Sequence, residues 1–331
     1  MQTAAMPMIL LLRTLILCLA LALPAIPAMA EPLELTARAV PLDTTDPERA
    51  RAGKLVWRGG IEITSPNPRF GGLSGLLVSG DGVELTAVSD EGHWFTARLA
   101  YDGAGRLTGI EGRATGALHG PGAEHLKGKR DQDSESLARL PDGSVAVAFE
   151  REHRLWRYAP AANPLAGRPA PLPAPPQLES LRSNSGIEGL ATLSDGALFA
   201  LAEGRREAAE SPAYLLRDGA WSSLAYRRHG TFRPTGAATL PGGDLLIVER
   251  RFNIIDGVGV RLRRIAAARI VPGALLEGEV IAALVAPLTV DNFEGVAARR
   301  SAGGETLVYL VSDDNFKPVQ RTLLLMFALE D

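Results

Sequence analysis

The sequence predicts an all-β fold, a β-propeller, with six blades expected and five as the alternative. Three observations carry that expectation. A unit of about sixteen residues recurs five times, each copy reads as strand, turn, strand, and helical periodicity of apolar residues is hard to find anywhere. Small antiparallel sheets repeated around an axis leave only short, protected edges, which is the propeller architecture.

The repeat is clearest in ESLARLPDGSVAVAFE, Glu135 to Glu150, and EGLATLSDGALFALAE, Glu188 to Glu203, which align without a gap. TGAATLPGGDLLIVE, Thr235 to Glu249, reads as the same unit shortened by one residue. SGLLVSGDGVELTAVSD, Ser74 to Asp90, and EGVAARRSAGGETLVYLVSD, Glu294 to Asp313, are longer copies. Turns such as Pro141-Asp142-Gly143 and Ser194-Asp195-Gly196 separate the two strands of each hairpin. An alternating strand, as in His153-Arg154-Leu155-Trp156-Arg157-Tyr158, then extends the hairpin into a sheet.

The Gly or Ser after the first repeat position falls at 75, 136, 189, 236 and 295, in steps of 61, 53, 47 and 59. About 80 residues remain for the closing arc, more than any step. A sixth, degenerate blade built from Leu55 to Thr64 and Thr322 to Leu329 is therefore expected. Ala159 to Pro176, with seven prolines in eighteen residues, reads as an extended surface connection.

Ahead of the repeats, Met8 to Leu23 is almost wholly apolar and ends in prolines and Ala28-Met29-Ala30. This pattern predicts a secretory signal over residues 1–30 with cleavage after Ala30, since the apolar core is shorter than the roughly 20 residues a span requires. Residues 31–331 are then expected to form one periplasmic or secreted domain without a stable membrane span. Cys18, the single cysteine, would leave with the signal, so disulfide, Cys-zinc and thiolate chemistry are excluded from the mature chain. With 35 basic and 38 acidic side chains, the net charge of −3 argues against nucleic acid as a partner.

In an antiparallel hairpin the first residue of one strand and the last of the next lie at the same end. The leading positions Ser74, Glu135, Glu188, Thr235 and Glu294 should thus share one rim with the trailing positions Asp90, Glu150, Glu203, Glu249 and Asp313. Like charges confined near an axis cannot all stay ionised without cations. Asp90, Glu135, Glu188, Glu294, Asp313 and Asp314 are accordingly the candidate ligands of a divalent metal, calcium being the expected ion. Arginines that follow the trailing carboxylates, Arg205 and Arg250 among them, would bind a small anionic substrate bidentately. The competing reading is that acids and arginines simply pair and tie the blades together. Asp131-Gln132-Asp133-Ser134-Glu135 alternates carboxylates like the start of a calcium loop but lacks its turn glycine. No G-x-S-x-G elbow and no glycine-rich phosphate loop occurs.

Seven segments together resemble the "esterase-like activity of phytase", or phytase-like, family. They are FGGLSGL (70–76), SDEG (89–92), DSES (133–136), SNSGIEGLA (183–191), VER (248–250), DNFEGV (291–296) and VSDDNF (311–316). Glu91 stands where the family commonly has Arg, and Ser136 where it has Gly. The resemblance implies an exported protein with phosphoester or ester hydrolysis. Three functions are consistent with these readings: a metal-assisted phosphoesterase or esterase dependent on Glu188 and Glu294, a gluconolactonase-like metal-dependent lactonase, and a non-catalytic ligand-binding propeller. For the lactonase, Glu188, Glu294, Asp313 and either Asn292 or Asn315 could supply a Glu, Asn and Asp set for the cation.

Overall fold

A computed structural model describes residues 30–255 and 257–330. Residues 1–29 of the expected signal segment lie outside the described residues. Short two-residue edge strands aside, the structure is built from five antiparallel sheets. The first blade comprises Leu73–Val78, Glu84–Ser89, His93–Tyr101 and Leu107–Ala117, with Glu31–Pro32 on its outer edge. The second comprises Ser134–Arg139, Val145–Phe149, Arg154–Tyr158 and Pro169–Leu172. The third runs through Ile187–Thr192, Leu198–Ala202, Glu210–Arg217 and Ala220–Arg227. The fourth uses Arg233–Thr239, Leu245–Asn253, Gly257–Ile265 and Glu279–Val285. Helix is confined, among the described residues, to Gly128–Gln132 and three single 3₁₀ turns. None is long and apolar enough to cross a membrane.

The fifth blade corrects the expected six. Phe293–Arg300 and Thr306–Ser312 are followed by Leu323–Leu329, which pairs with Leu55–Thr64 from the other end of the chain. Thr36–Ala39 then adds outside Leu55–Thr64. The segments expected to form a sixth blade are therefore the outer half of the fifth. Their pairing closes the ring, because it ties the two chain ends into one sheet.

Each blade's first strand packs beside the first strands of its two neighbours, and the fifth returns to the first. Middle strands bury both faces, so they read as unbroken apolar runs rather than alternating ones. In Val145–Phe149, Val145 and Val147 pack with Val88 and Trp94 of the first blade. Ala146 and Ala148 pack with Leu198 and Ala200 of the third. Equivalent cores fill the remaining three blade interfaces.

Close packing at the axis explains the recurring glycine. A Cβ on Gly236 would lie 2.3 Å from the Glu294 carbonyl oxygen, and one on Gly75 2.4 Å from Leu137. In the second blade Ser136 occupies this position, and its hydroxyl accepts a hydrogen bond from the Leu190 amide at 2.9 Å.

Candidate functional site

Every inner hairpin is irregular at the same place. The ladder skips one residue between Leu73 and Gly75, Ser134 and Ser136, Ile187 and Gly189, Pro234 and Gly236, and Phe293 and Gly295. The skipped residues are Ser74, Glu135, Glu188, Thr235 and Glu294, the five leading positions of the repeat. A β-bulge re-aims the side chain at the irregularity, and five of them around one axis make a ring. Its neutral members brace the blades: Ser74 Oγ donates to the Ser134 carbonyl, and Thr235 Oγ1 to that of Phe293 at 2.9 Å.

The second strand ends beside this ring. Asp90, Glu150, Glu203 and Asp313 each donate a backbone amide to the residue two positions before the bulge, namely Gly72, Asp133, Gly186 and Asn292. In the fourth blade Arg250 pairs with Arg233 at the corresponding place. The trailing ring is therefore Asp90, Glu150, Glu203, Arg250 and Asp313, which corrects the position expected for Glu249. No residue is missing from the fourth repeat, and Glu249 lies one place earlier. Glu249 is fully buried away from the axis, paired with Arg261 and, at 3.5 Å, with Arg263.

The position two before the bulge adds a third ring of Gly72, Asp133, Gly186, Arg233 and Asn292, of which Asp133 and Asn292 are buried. Around the second blade, carboxylate oxygens of Asp133, Glu135 and Glu150 lie within 4.8 Å of one another. Asp133 is held by Arg151 at 2.8 Å and by Lys129 at 2.7 Å, and Lys129 also reaches Asp90. On the other side, Asn292 Nδ2 bridges Glu294 Oε1 at 2.9 Å and Asp313 Oδ2 at 3.0 Å. Arg250 approaches Glu294 to 4.0 Å, and Arg233 bonds Glu203 at 2.5 Å.

Eight carboxylates thus meet four cations, Lys129, Arg151, Arg233 and Arg250. The excess negative charge is resolved by retained protons. Burial, then the Glu188 and Asp133 carboxylates, push Glu135 well above the usual range. Burial together with Glu150, Glu203 and Glu294 does the same to Glu188, with Arg250 opposing. Burial drives Glu294 up to about 7 against Arg250's attraction, with Asp90 adding to the rise. Asp313 rises to about 9 through burial and the charges of Glu294 and Asp90. Glu150 reaches about 7, chiefly through burial. A divalent cation would take the place of such protons.

The sequence-derived candidates do not all converge. Glu135, Glu188, Glu294, Asp90, Asp313 and Arg250 meet at the axis. Asp314 instead uses its oxygens on the Gly72 amide at 2.9 Å and the Thr322 hydroxyl at 3.1 Å, fixing the neighbouring loop. Arg205 stands on an exposed loop. Asn315 and Asn292 both line a hollow of about 660 Å³ with Arg250 and Glu294, and Asn292 also bridges the acids. Lys129 and Arg233 were not singled out as site residues. Their signal was three-dimensional: Lys129 belongs to a five-residue helix outside the repeat, and Arg233 becomes notable only when the third ring is seen.

The site is thus an acidic, arginine-edged mouth at one end of a five-bladed propeller axis. A family model described as "Esterase-like activity of phytase" matches residues 68–316, and the chain belongs to this phytase-like family. No curated protein matches the sequence. Among solved structures, a protein assigned as a gluconolactonase is similar at 14% identity and a TM-score of 0.44, covering 89% of this chain and 95% of its own. A luciferin-regenerating enzyme matches at 11% identity and 0.41, covering 79% and 93%. Catalytically inactive virginiamycin B lyase from Staphylococcus aureus matches at 12% and 0.40, covering 90% and 100%.

Proposed function

We propose that this exported propeller is a metal-assisted phosphoesterase acting on a small anionic ester at the axial mouth, with calcium as its divalent cation. The observation that carries the reading is Arg250: one guanidinium stands in an otherwise acidic trailing ring, 4.0 Å from Glu294. A cation site beside a fixed arginine suits a phosphoryl group, whose oxygens need both.

The residues fit a hard cation. Their donors are all oxygens, and two buried ones, Asn292 Oδ1 and Asp90 Oδ1, have no hydrogen-bond partner among the described residues. Asp90, Glu135, Glu188, Glu294 and Asp313 are the proposed ligands, with Asp314 holding the adjoining loop. A bound cation would supply Lewis acidity toward the phosphoryl oxygen and acidify water. Arg250, with Arg205 at the outer edge, binds and orients the phosphoryl oxygens. Glu188 receives the proton of the water that attacks phosphorus. Glu294, deprotonated as a ligand, would hold the cation against the phosphoryl oxygens, and the departing ester oxygen takes its proton from solvent as the P–O bond breaks.

Asn292 supports a second reading. Its bridge between Glu294 and Asp313 assembles the Glu, Asn and Asp set expected for a lactonase. Turnover of p-nitrophenyl phosphate, bis-p-nitrophenyl phosphate, p-nitrophenyl acetate and a sugar lactone, with calcium and with chelator, separates the readings. Phosphoester turnover that needs the metal and falls at least about 100-fold in Glu188→Gln and Glu294→Gln is expected. Lactone turnover alone would establish the second reading. Full activity in both folded variants would remove the axis as the reaction centre, and no turnover by wild type would leave a ligand-binding propeller.

A further inference from the structure

Beside the acidic mouth, between the third and fourth blades, lies a pocket of about 370 Å³ with the opposite charge. Arg206, Arg228, Arg233, Arg250 and Arg251 line it, against the single carboxylate of Glu203. Arg228 is only 7% exposed. One of its nitrogens donates to the Arg205 carbonyl at 2.7 Å, while Nη1, shut away from solvent, has no hydrogen-bond partner among the described residues. Arg250 Nε is likewise buried without a partner. A buried guanidinium nitrogen without an acceptor is costly, and although Glu203 pairs with Arg233 and Glu294 approaches Arg250, no ion pair among the described residues neutralises Arg228. Burial and the neighbouring Arg233 charge press the Arg228 pKa downward, the stress a bound anion would relieve.

We propose that this pocket is an oxyanion site built on Arg228, Arg206 and Arg250, which takes a second anionic group of the substrate. Thr235, Glu203 and Arg250 belong both to the axial rings and to the pocket wall, so the two spaces adjoin. A molecule with one phosphoryl group over Glu188 and Glu294 therefore finds a guanidinium-lined receptor for another, and the substrate class is a bis-anionic phosphoester. Guanidinium forks match phosphate or carboxylate oxygens in pairs, which an ammonium does not. That the occupant is part of the substrate rests on the phosphoesterase reading; the oxyanion site itself does not.

Isothermal titration of the full chain with inorganic phosphate, in EDTA, tests the site without reference to turnover. One phosphate should bind, about tenfold more weakly in Arg228→Lys and severalfold more weakly in Arg206→Gln, whose exposed side chain the fold does not need. Absence of phosphate binding, or affinity unchanged in the folded variants, overturns the site. The substrate class is read separately from KM. A bisphosphate ester should show at least tenfold lower KM than the matching monophosphate, with the advantage lost in Arg228→Lys. Phosphate binding with no such KM difference in an active enzyme would overturn the bis-anionic substrate and leave free phosphate as the occupant. Phosphate binding in a protein inactive on every ester would reject the phosphoesterase reading while upholding the site.

Discussion

Replacing Glu294 by Gln in the metal-free protein should stabilise it at alkaline pH, although it removes a buried ion-pairing residue. The Glu294 carboxyl sits at about 7 against an ordinary 4.5. The folded state therefore holds more protons than the unfolded state between those values, and stability is lost as pH rises through that window, levelling above 7. At about 1.4 kcal/mol per tenfold change, ionising this one group costs roughly 3 kcal/mol. Asp313, pushed up to about 9, extends the decline further. In Glu294→Gln the side-chain oxygen still accepts from Asn292 Nδ2, so the hydrogen bond survives while the forced charge is gone. Thermal unfolding in EDTA should find both proteins alike at pH 4.5 and the variant ahead by about 3 kcal/mol at pH 8. At roughly 2 °C per kcal/mol for a chain of this length, that is about 6 °C. Calcium should reverse the order at pH 8, because its ligands must be deprotonated to bind. Wild-type stability in EDTA that is flat or rising from pH 5 to 8, or a variant that is the weaker protein at pH 8, would refute the reasoning.

Three further outcomes follow from the same geometry. Gly236→Ala should lower stability by about 1–3 kcal/mol, because its Cβ would meet the Glu294 backbone oxygen at 2.3 Å; Gly303→Ala, with 3.7 Å to its nearest neighbour, should stay within about 0.5 kcal/mol in the same melting assay. Arg250→Lys should reduce kcat/KM for phosphoesters about tenfold or more while leaving acetate ester turnover near wild type, since the lost feature is the guanidinium fork. Mass spectrometry of the exported protein should find Glu31 at its N-terminus, where Glu31–Pro32 pairs with Ala114 and Thr115 at the first blade's edge; an intact Met1 would refute cleavage.

The five hairpins were legible because their two strands are contiguous and their apolar pattern is set by burial on both faces. Blade number was not. Leu55–Thr64 and Leu323–Leu329 are each ordinary strands, and nothing local says that they pair across the whole chain. At the axis, Glu188 and Glu294 were found because repeat position alone marks the bulge. Glu249 misled for a related reason: its chemistry matched Glu203, but the register gives that place to Arg250, and alternation turns Glu249 into the blade interface. Asn292 was legible as part of the lactonase set and Asp133 only as part of an incomplete calcium loop; hydrogen bonds within their own blades, from Asn292 to Glu294 and Asp313 and from the Glu150 amide to the Asp133 carbonyl, bring them to the axis. Ser136 departs from the glycine of the other repeats where an inner strand's neighbour offers an amide to bind.

The account turns on a cation held by the axial oxygens. Crystals of the mature protein grown with calcium, with diffraction recorded for anomalous signal, address it directly. The account predicts one peak on the axis, surrounded at about 2.3–2.6 Å by oxygens drawn from Asp90, Glu135, Glu188, Glu294 and Asp313, with Asp133, Glu150 and Asn292 as their near neighbours. An axis free of anomalous density at millimolar calcium, with the same carboxyls bonded only to one another and to arginine, would contradict it.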